Sequence, residues 1–263
     1  MTEPRVSVLM AVHDGAPWVK DAVASVLGQT LTDLELIVLD DGSADATPAV
    51  LDGFADRRLR VERRPRAGLT RALNTALGLA RAPIVARLDA DDVALPERLA
   101  RQVAFLDAHP DVGVLGSAAR EVDAEGRAVR IVHPPLDDDA LRRELIRRNP
   151  MVHSTVAMRR RAIEEVGGYD PRFAVAQDYD LWIRLAVVTR LANLAEPLVV
   201  RRLLPGRVSV ARDTDRLRAE ARARWRAVRA GVYPAWCLVF VARPMLAVAL
   251  PGPLRRALRR ARG

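Results

Sequence analysis

The chain has 263 residues, half of them hydrophobic and 29% charged, a balance that supports one large folded core and excludes a disordered chain. Cys237 is the only cysteine, which excludes an internal disulfide and any cysteine-based metal site. The net charge of +9 is uneven: Arg201 to Gly263 holds sixteen arginines against three acids, or +13, so the first two hundred residues carry −4, and a basic, nucleic-acid-binding body is excluded.

Met1 to Pro4 has no basic start, and Val6 to Val12 is too short for a signal-peptide core. A reducing, cytoplasmic setting is therefore expected. Val6 to Val12 is an unbroken apolar run and predicts a central strand ending at His13-Asp14-Gly15. Pro17 opens a helix with Val19, Val23, Val26 and Leu27 on one face, stopped by Gly28. Leu34 to Leu39 predicts a second strand ending in Asp40-Asp41-Gly42-Ser43, with a helix after it from Asp45. Leu59 to Glu62 predicts a third strand; Arg66-Ala67-Gly68-Leu69 then leads into a helix with Leu73, Ala76, Leu77 and Ala80 on one side.

The fourth strand is the buried-looking run Ile84 to Leu88, which stops at Asp89-Ala90-Asp91-Asp92. Three carboxylates in four residues repel one another. Two readings account for them: a divalent cation among them, because hard cations take oxygen ligands, or an acidic turn before the helix that follows Pro96. Short alternations of strand and helix predict right-handed crossovers and a mostly parallel sheet, with ligands at the strand carboxyl ends. That places His13, Asp14, Asp40, Asp41, Asp89 and Asp91 along one rim. Neither G-x-G-x-x-G after the first strand nor a P-loop occurs, so phosphates here need a metal rather than a glycine-rich helix start.

Beyond residue 110, Val112 to Val122 and Arg127 to Val132 predict a hairpin around Asp123-Ala124-Glu125-Gly126. A helix containing Leu141, Leu145 and Ile146 follows, then a strand at Thr155 to Met158 and a helix at Arg161 to Val166. Gln177-Asp178-Tyr179-Asp180-Leu181-Trp182 opens another helix, with Asp178 in its first turn, where an acid also serves as a cap. Arg216 to Arg229 predicts a basic helix. The uncharged runs after it are interrupted by Pro234, Arg243-Pro244 and Pro251, too short to span a bilayer. With Trp225, Tyr233, Trp236 and Phe240 beside arginine, the tail fits a helix lying on an anionic membrane. It also fits a helical cap packed on the preceding residues.

Four motifs in order, Ser7 to Gly15, Asp40 to Thr47, Asp89 to Asp92 and Gln177 to Trp182, resemble the family 2 glycosyltransferases of the GT-A type over roughly Arg5 to Ser209. Gly68-Leu69 through Asn74 and Gly167-Gly168-Tyr169-Asp170 add to the match. The resemblance implies a GT-A, Rossmann-like α/β fold with a mostly parallel central sheet flanked by helices, with a nucleotide-sugar-binding half at 1–110 and an acceptor-binding half of the same domain at 111–210. The residues beyond it are expected to form a helical, basic tail at 211–263, a candidate for membrane association. The implied activity is inverting transfer of a sugar from a nucleotide-diphosphate donor, UDP or dTDP being favoured, to a glycan or lipid-linked acceptor. Surface polysaccharide or glycolipid synthesis on the inner face of the membrane would follow.

By the same resemblance, Ala11, His13, Asp14, Asp40, Asp41, Arg71, Asp89 and Ala90 would border the nucleotide sugar. Asp91, with Asp92 as a helper, would hold Mn²⁺ or Mg²⁺. Asp178 would be the catalytic base, and His153 and Trp182 would lie on the acceptor side. His13 and His153 also read as hydrogen-bonded structural histidines. The chain departs from the pattern at His13-Asp14, at Gln177 and at Leu204, where many relatives carry a histidine; Arg202 or Arg207 would then supply positive charge to the diphosphate. Two other functions remain: a sugar nucleotidyltransferase, for which the loop after the first strand lacks the basic glycine-rich character, and a non-catalytic nucleotide- or membrane-binding relative.

Overall fold

The computed structural model describes residues 3–204 and 213–249. Strand and helix alternate as expected through β1 (Val6–Val12), α1 (Val19–Leu27), β2 (Leu34–Asp41), α2 (Thr47–Asp52), β3 (Leu59–Arg64), α3 (Leu69–Leu79) and β4 (Ile84–Arg87). The second half runs β5 (Val93–Ala94), α4 (Arg98–Ala108), β6 (Val112–Val122), β7 (Ala128–Val132), α5 (Asp138–Leu145), β8 (Ala157–Arg159), α6 (Arg160–Glu165), α7 (Gln177–Val188) and β9 (Arg190–Arg202). Two helices close the described chain, α8 (Asp213–Arg229) and α9 (Val239–Ala249).

One sheet has the order β3-β2-β1-β4-β8-β6-β9-β5, with β7 beside β6. The strands β3, β2, β1 and β4 are parallel. Beyond β4 the sheet is mixed: β8 is antiparallel to β4 and β6, whereas β6 and β9 run parallel. The expected hairpin is β6–β7, with Ala119 opposite Val132. The long β9 was not expected from the sequence; Glu196-Pro197 interrupts its apolar pattern, and the pairing with β6 shifts register there.

β1 and β2 read as continuous apolar runs because both faces of the sheet are covered. Alternate side chains divide between two cores. Val8, Met10, Leu36 and Val38 meet α1 and α4 residues such as Val23 and Leu99 on one side. Leu9, Ile37 and Val85 meet Leu73, Leu77, Leu181 and Leu185 on the other. The helix spacing that predicted α1 and α3 is the spacing of the residues they bury, Val19, Ala22, Val23 and Val26 on α1 and Ala72, Leu73, Ala76 and Leu77 on α3.

The basic helix of the tail is α8, and its small side chains join this second core: Ala223 and Ala227 are buried with α7. Arg224, 4% exposed, donates to Tyr179 Oη at 2.9 Å, Arg147 O at 3.0 Å and Phe240 O at 3.1 Å. A buried guanidinium with this many acceptors fastens α8 to α7 and α9. Among the described residues no helix is long and apolar enough to cross a membrane.

Candidate active site

The parallel register brings three strand ends to one edge. Val12 pairs with Asp40 across β1 and β2, and Leu88 N donates to Leu9 O at 3.2 Å, carrying the end of β4 to the same level. Asp40 and Asp41 are both buried and meet backbone amides. Asp40 Oδ1 accepts from Ser43 N at 3.0 Å; Asp41 Oδ1 and Oδ2 accept from Ala67 N and Gly68 N at 2.7 and 2.8 Å. His13 Nδ1 lies 3.0 Å from Asp41 O, and its Nε2 lies 3.3 Å from Asp14 Oδ2. Asp14, at φ 51°, accepts from Ala44 N at 2.8 Å, so its charge is turned onto the loop after β2. Ala11 and Ala90 are half-buried, whereas Arg71 is exposed on α3.

At the end of β4, Asp89, Asp91 and Asp92 each offer a carboxylate oxygen, all within 4.8 Å of one another. Arg87, 1% exposed, pairs with Asp89 through Nη2, while its Nε and Nη1 have no hydrogen-bond partner among the described residues. Burial raises the Asp89 pKa, but the Arg87 guanidinium outweighs it and holds Asp89 below the usual carboxylate range. Burial, then the charges of Asp89 and Asp91, push Asp92 up to about 7. Asp92 Oδ1 accepts from Arg202 N at 3.0 Å; its Oδ2, near Ser154, makes no well-formed hydrogen bond among the described residues. Three carboxylate oxygens crowded this closely, with one of them lacking a well-formed hydrogen bond among the described residues, fit a divalent cation.

Arg202 is placed differently from expectation. Its guanidinium donates to Asp91 O and to Asp21 Oδ2, each at 3.0 Å, and stacks 5.0 Å from the Trp18 ring. With these partners it clamps β9 to the acidic loop instead of standing ready for a diphosphate. Arg207, the other diphosphate candidate, lies outside the described residues.

Asp178 sits in the first turn of α7, as read from the sequence. Its Oδ2 accepts from Asn149 Nδ2 at 2.7 Å. Burial raises its pKa above the ordinary value, while the Tyr179 amide, Asn149 and Arg87 pull the other way. His153, in a short 3₁₀ turn, lies 2.8 Å from Tyr169 Oη through Nε2. Burial and then Arg87 hold its pKa well below the ordinary value, so the ring is neutral. Trp182 is fully buried; it approaches the site only through its ring, 5.8 Å from that of His153, and has no surface to present to an acceptor.

Arg87 is paired with Asp89 and lowers it, and its charge also opposes, as a lesser influence, the rise that burial gives Asp178. Sequence reading passed over it, although an arginine inside an apolar strand next to three acids is a usable signal. Asn149, Ser154 and Tyr169 were passed over too; Ser154 Oγ accepts from Asp89 N at 2.8 Å. No local pattern marks Asn149.

Residues 7–167 match the family described as Glycosyl transferase family 2. EpsE of Bacillus subtilis is 32% identical over 188 residues, covering 69% of this chain and 66% of its own length. The O-antigen biosynthesis glycosyltransferase WbnJ of Escherichia coli is 30% identical over 204 residues, 75% of this chain and 79% of that protein. The solved mannosyltransferase PcManGT from Pyrobaculum calidifontis, in complex with GDP-Man and Mn²⁺, superposes with a TM-score of 0.62 at 23% identity, over 99% of this chain and 80% of that one. The fold is thus of the GT-A type seen in that neighbour, although the chain spans just under two thirds of EpsE. By sequence match and fold together, the chain belongs to glycosyl transferase family 2.

Proposed function

We propose that the protein is an inverting glycosyltransferase that moves a sugar from a nucleoside-diphosphate donor to an acceptor hydroxyl. The observation that carries this reading is that the fold holds two carboxylate centres, a cluster at the end of β4 with a buried guanidinium against it and a buried acid at the start of α7. One is a cation-fitting cluster; the other is Asp178, whose proton affinity is raised by burial. Asp178 takes the acceptor proton as the acceptor oxygen attacks the anomeric carbon from the face opposite the diphosphate. The bond to the diphosphate breaks and the configuration inverts. Asn149 orients the Asp178 carboxylate, and Asp89 faces the ribose while Asp91 and Asp92 would hold the cation. A bound divalent ion would supply Lewis-acid neutralisation of the charge growing on the leaving diphosphate. The loop shaped by Asp40, Asp41 and His13 receives the base.

The donor nucleotide is UDP or dTDP in this reading; the solved neighbour holds GDP-Man, so the nucleotide is the first variable to measure. WbnJ acts in O-antigen biosynthesis by its description, which supports a surface glycan or lipid-linked acceptor handled at the inner face of the membrane. The 1–110, 111–210 and 211–263 division follows: donor half, acceptor half and tail.

Thermal shift with UDP, dTDP and GDP, each with Mn²⁺ or chelator, identifies the donor class by mass action. Asp178→Asn is expected to keep the metal-dependent shift and to lose transfer by about 10²–10⁴-fold. Undiminished turnover by Asp178→Asn defeats the assignment.

A further inference from the structure

The last turns of α8 form one wall of an open cleft of ≈ 580 Å³ lined by Arg172, Arg222, Trp225, Arg226, Arg229 and Ala230. Four guanidinium groups share this concave surface, and acids answer only two of them. Asp170 pairs with Arg172 at 2.7 Å and with Arg226 at 2.8 Å, and Asp180 lies 3.2 Å from Arg226. Arg222 lies over the Phe173 ring at 5.9 Å and Arg229 over the Trp225 ring at 5.1 Å. Neither has a carboxylate partner among the described residues. The acids of α8 are Asp213 and Asp215 at its start and Glu220 near its middle, and Glu220 pairs with Arg216 and Arg224. Residues 222, 226 and 229 follow the four- and three-residue spacing of one helix face, where like charges repel. A bound phosphate relieves that repulsion, and arginine forks match its oxygens.

Trp225 decides the source of the phosphate. Its ring is 44% exposed beside the unpaired arginines, and Trp236 and Leu246 farther along the tail are 66% and 70% exposed. A dissolved phosphate would leave those apolar surfaces in water, whereas a headgroup layer takes guanidinium and indole together. We propose that this cleft binds the phosphate of anionic phospholipid headgroups and seats the protein on a lipid surface, with Trp225 entering the headgroup layer. The proposal deepens the membrane placement offered above by naming its contact.

The test is co-sedimentation of the full chain with vesicles of phosphatidylcholine alone or mixed with phosphatidylglycerol. The expected result is binding to the anionic vesicles and a drop of about tenfold or more in Arg222→Gln/Arg229→Gln, with a smaller drop in Trp225→Ala. These side chains are exposed, so an unchanged melting temperature verifies folding. In the reverse control, glutamine at Arg255, Arg256, Arg259, Arg260 and Arg262 leaves most of the binding in place. Anionic-vesicle binding that survives loss of Arg222 and Arg229 overturns the cleft but not membrane placement. Equal binding to phosphatidylcholine alone, or full displacement by inorganic phosphate at matched concentration, overturns the headgroup assignment. No binding to any vesicle overturns both.

Discussion

β2 and β4 end in acids at the same sheet edge, but the amides of adjoining loops surround only the first pair, while at the second Asp92 takes one amide from the distant β9. Asp41 receives an amide on each oxygen, and Asp40 receives Ser43 N. Glycines make room for this. Gly42, at φ 72°, lies so close to the second loop that a Cβ there would come within 2.8 Å of Arg66 N, and Gly68 takes φ 91°, the left-handed region in which glycine is at ease, as the chain turns into α3. The end of β4 has no glycine between Arg87 and Ala94. Its carboxylates crowd one another, with the Arg87 guanidinium against Asp89 and the Arg202 amide on Asp92 Oδ1. The glycine-flanked acids at the end of β2 are saturated by their loops, whereas those at the end of β4 lie close enough together to fit a divalent cation.

The largest expected effect comes from removing that guanidinium. Arg87→Met leaves the acid cluster with its buried countercharge gone and is expected to cost about 3–5 kcal/mol in chelator. Urea unfolding reads the loss, and Mn²⁺ should recover a substantial part of it by supplying the missing positive charge. A loss of equal size with and without Mn²⁺ breaks the contrast between the two strand ends. Next in size is Asp41→Ala. Two charge-assisted hydrogen bonds disappear and two amides lose their acceptor, for a cost of about 2–3 kcal/mol. Here Mn²⁺ should make no difference to the loss, because the defect is in loop shape.

Much of this was visible in the sequence, for reasons that can be named. The rim acids stood out because each follows an apolar run that can only be a covered strand, and parallel topology then forces them together. The amides that saturate Asp41 did not, since Ala67 and Gly68 lie on the loop after β3, some 26 residues away along the chain. Nothing in the spacing of the basic helix marks Arg224 as buried; it is buried because Tyr179 Oη and two carbonyls meet it. Trp182 lay in a recognisable motif, but a motif does not say which face of α7 is covered. β9 was missed because Glu196-Pro197 breaks an apolar pattern that β6 pairing tolerates through a register shift. Side-chain type and spacing reveal strand ends. Burial of a charge depends on partners that are distant in sequence.

The smallest expected effect carries the opposite sign, which makes it the sharpest measurement. Asp92 titrates at about 7 in the folded protein against an ordinary value of 3.8. Folding therefore favours its protonated form. That contribution is present below 3.8 and is lost as pH rises through about 7, so apo stability falls across this window. Asp92→Asn keeps a carbonyl oxygen for the Arg202 amide while removing the third crowded charge. In chelator at pH 8 it is expected to be more stable than the parent by about 1–2 kcal/mol, with the gap closing toward pH 4. With Mn²⁺ the ranking should invert, because the parent gains stabilisation from the ion and the variant gains less. Destabilisation by Asp92→Asn in chelator at pH 8 would mean that Asp92, like Asp41, is held by the protein itself, and the two strand ends would then be alike.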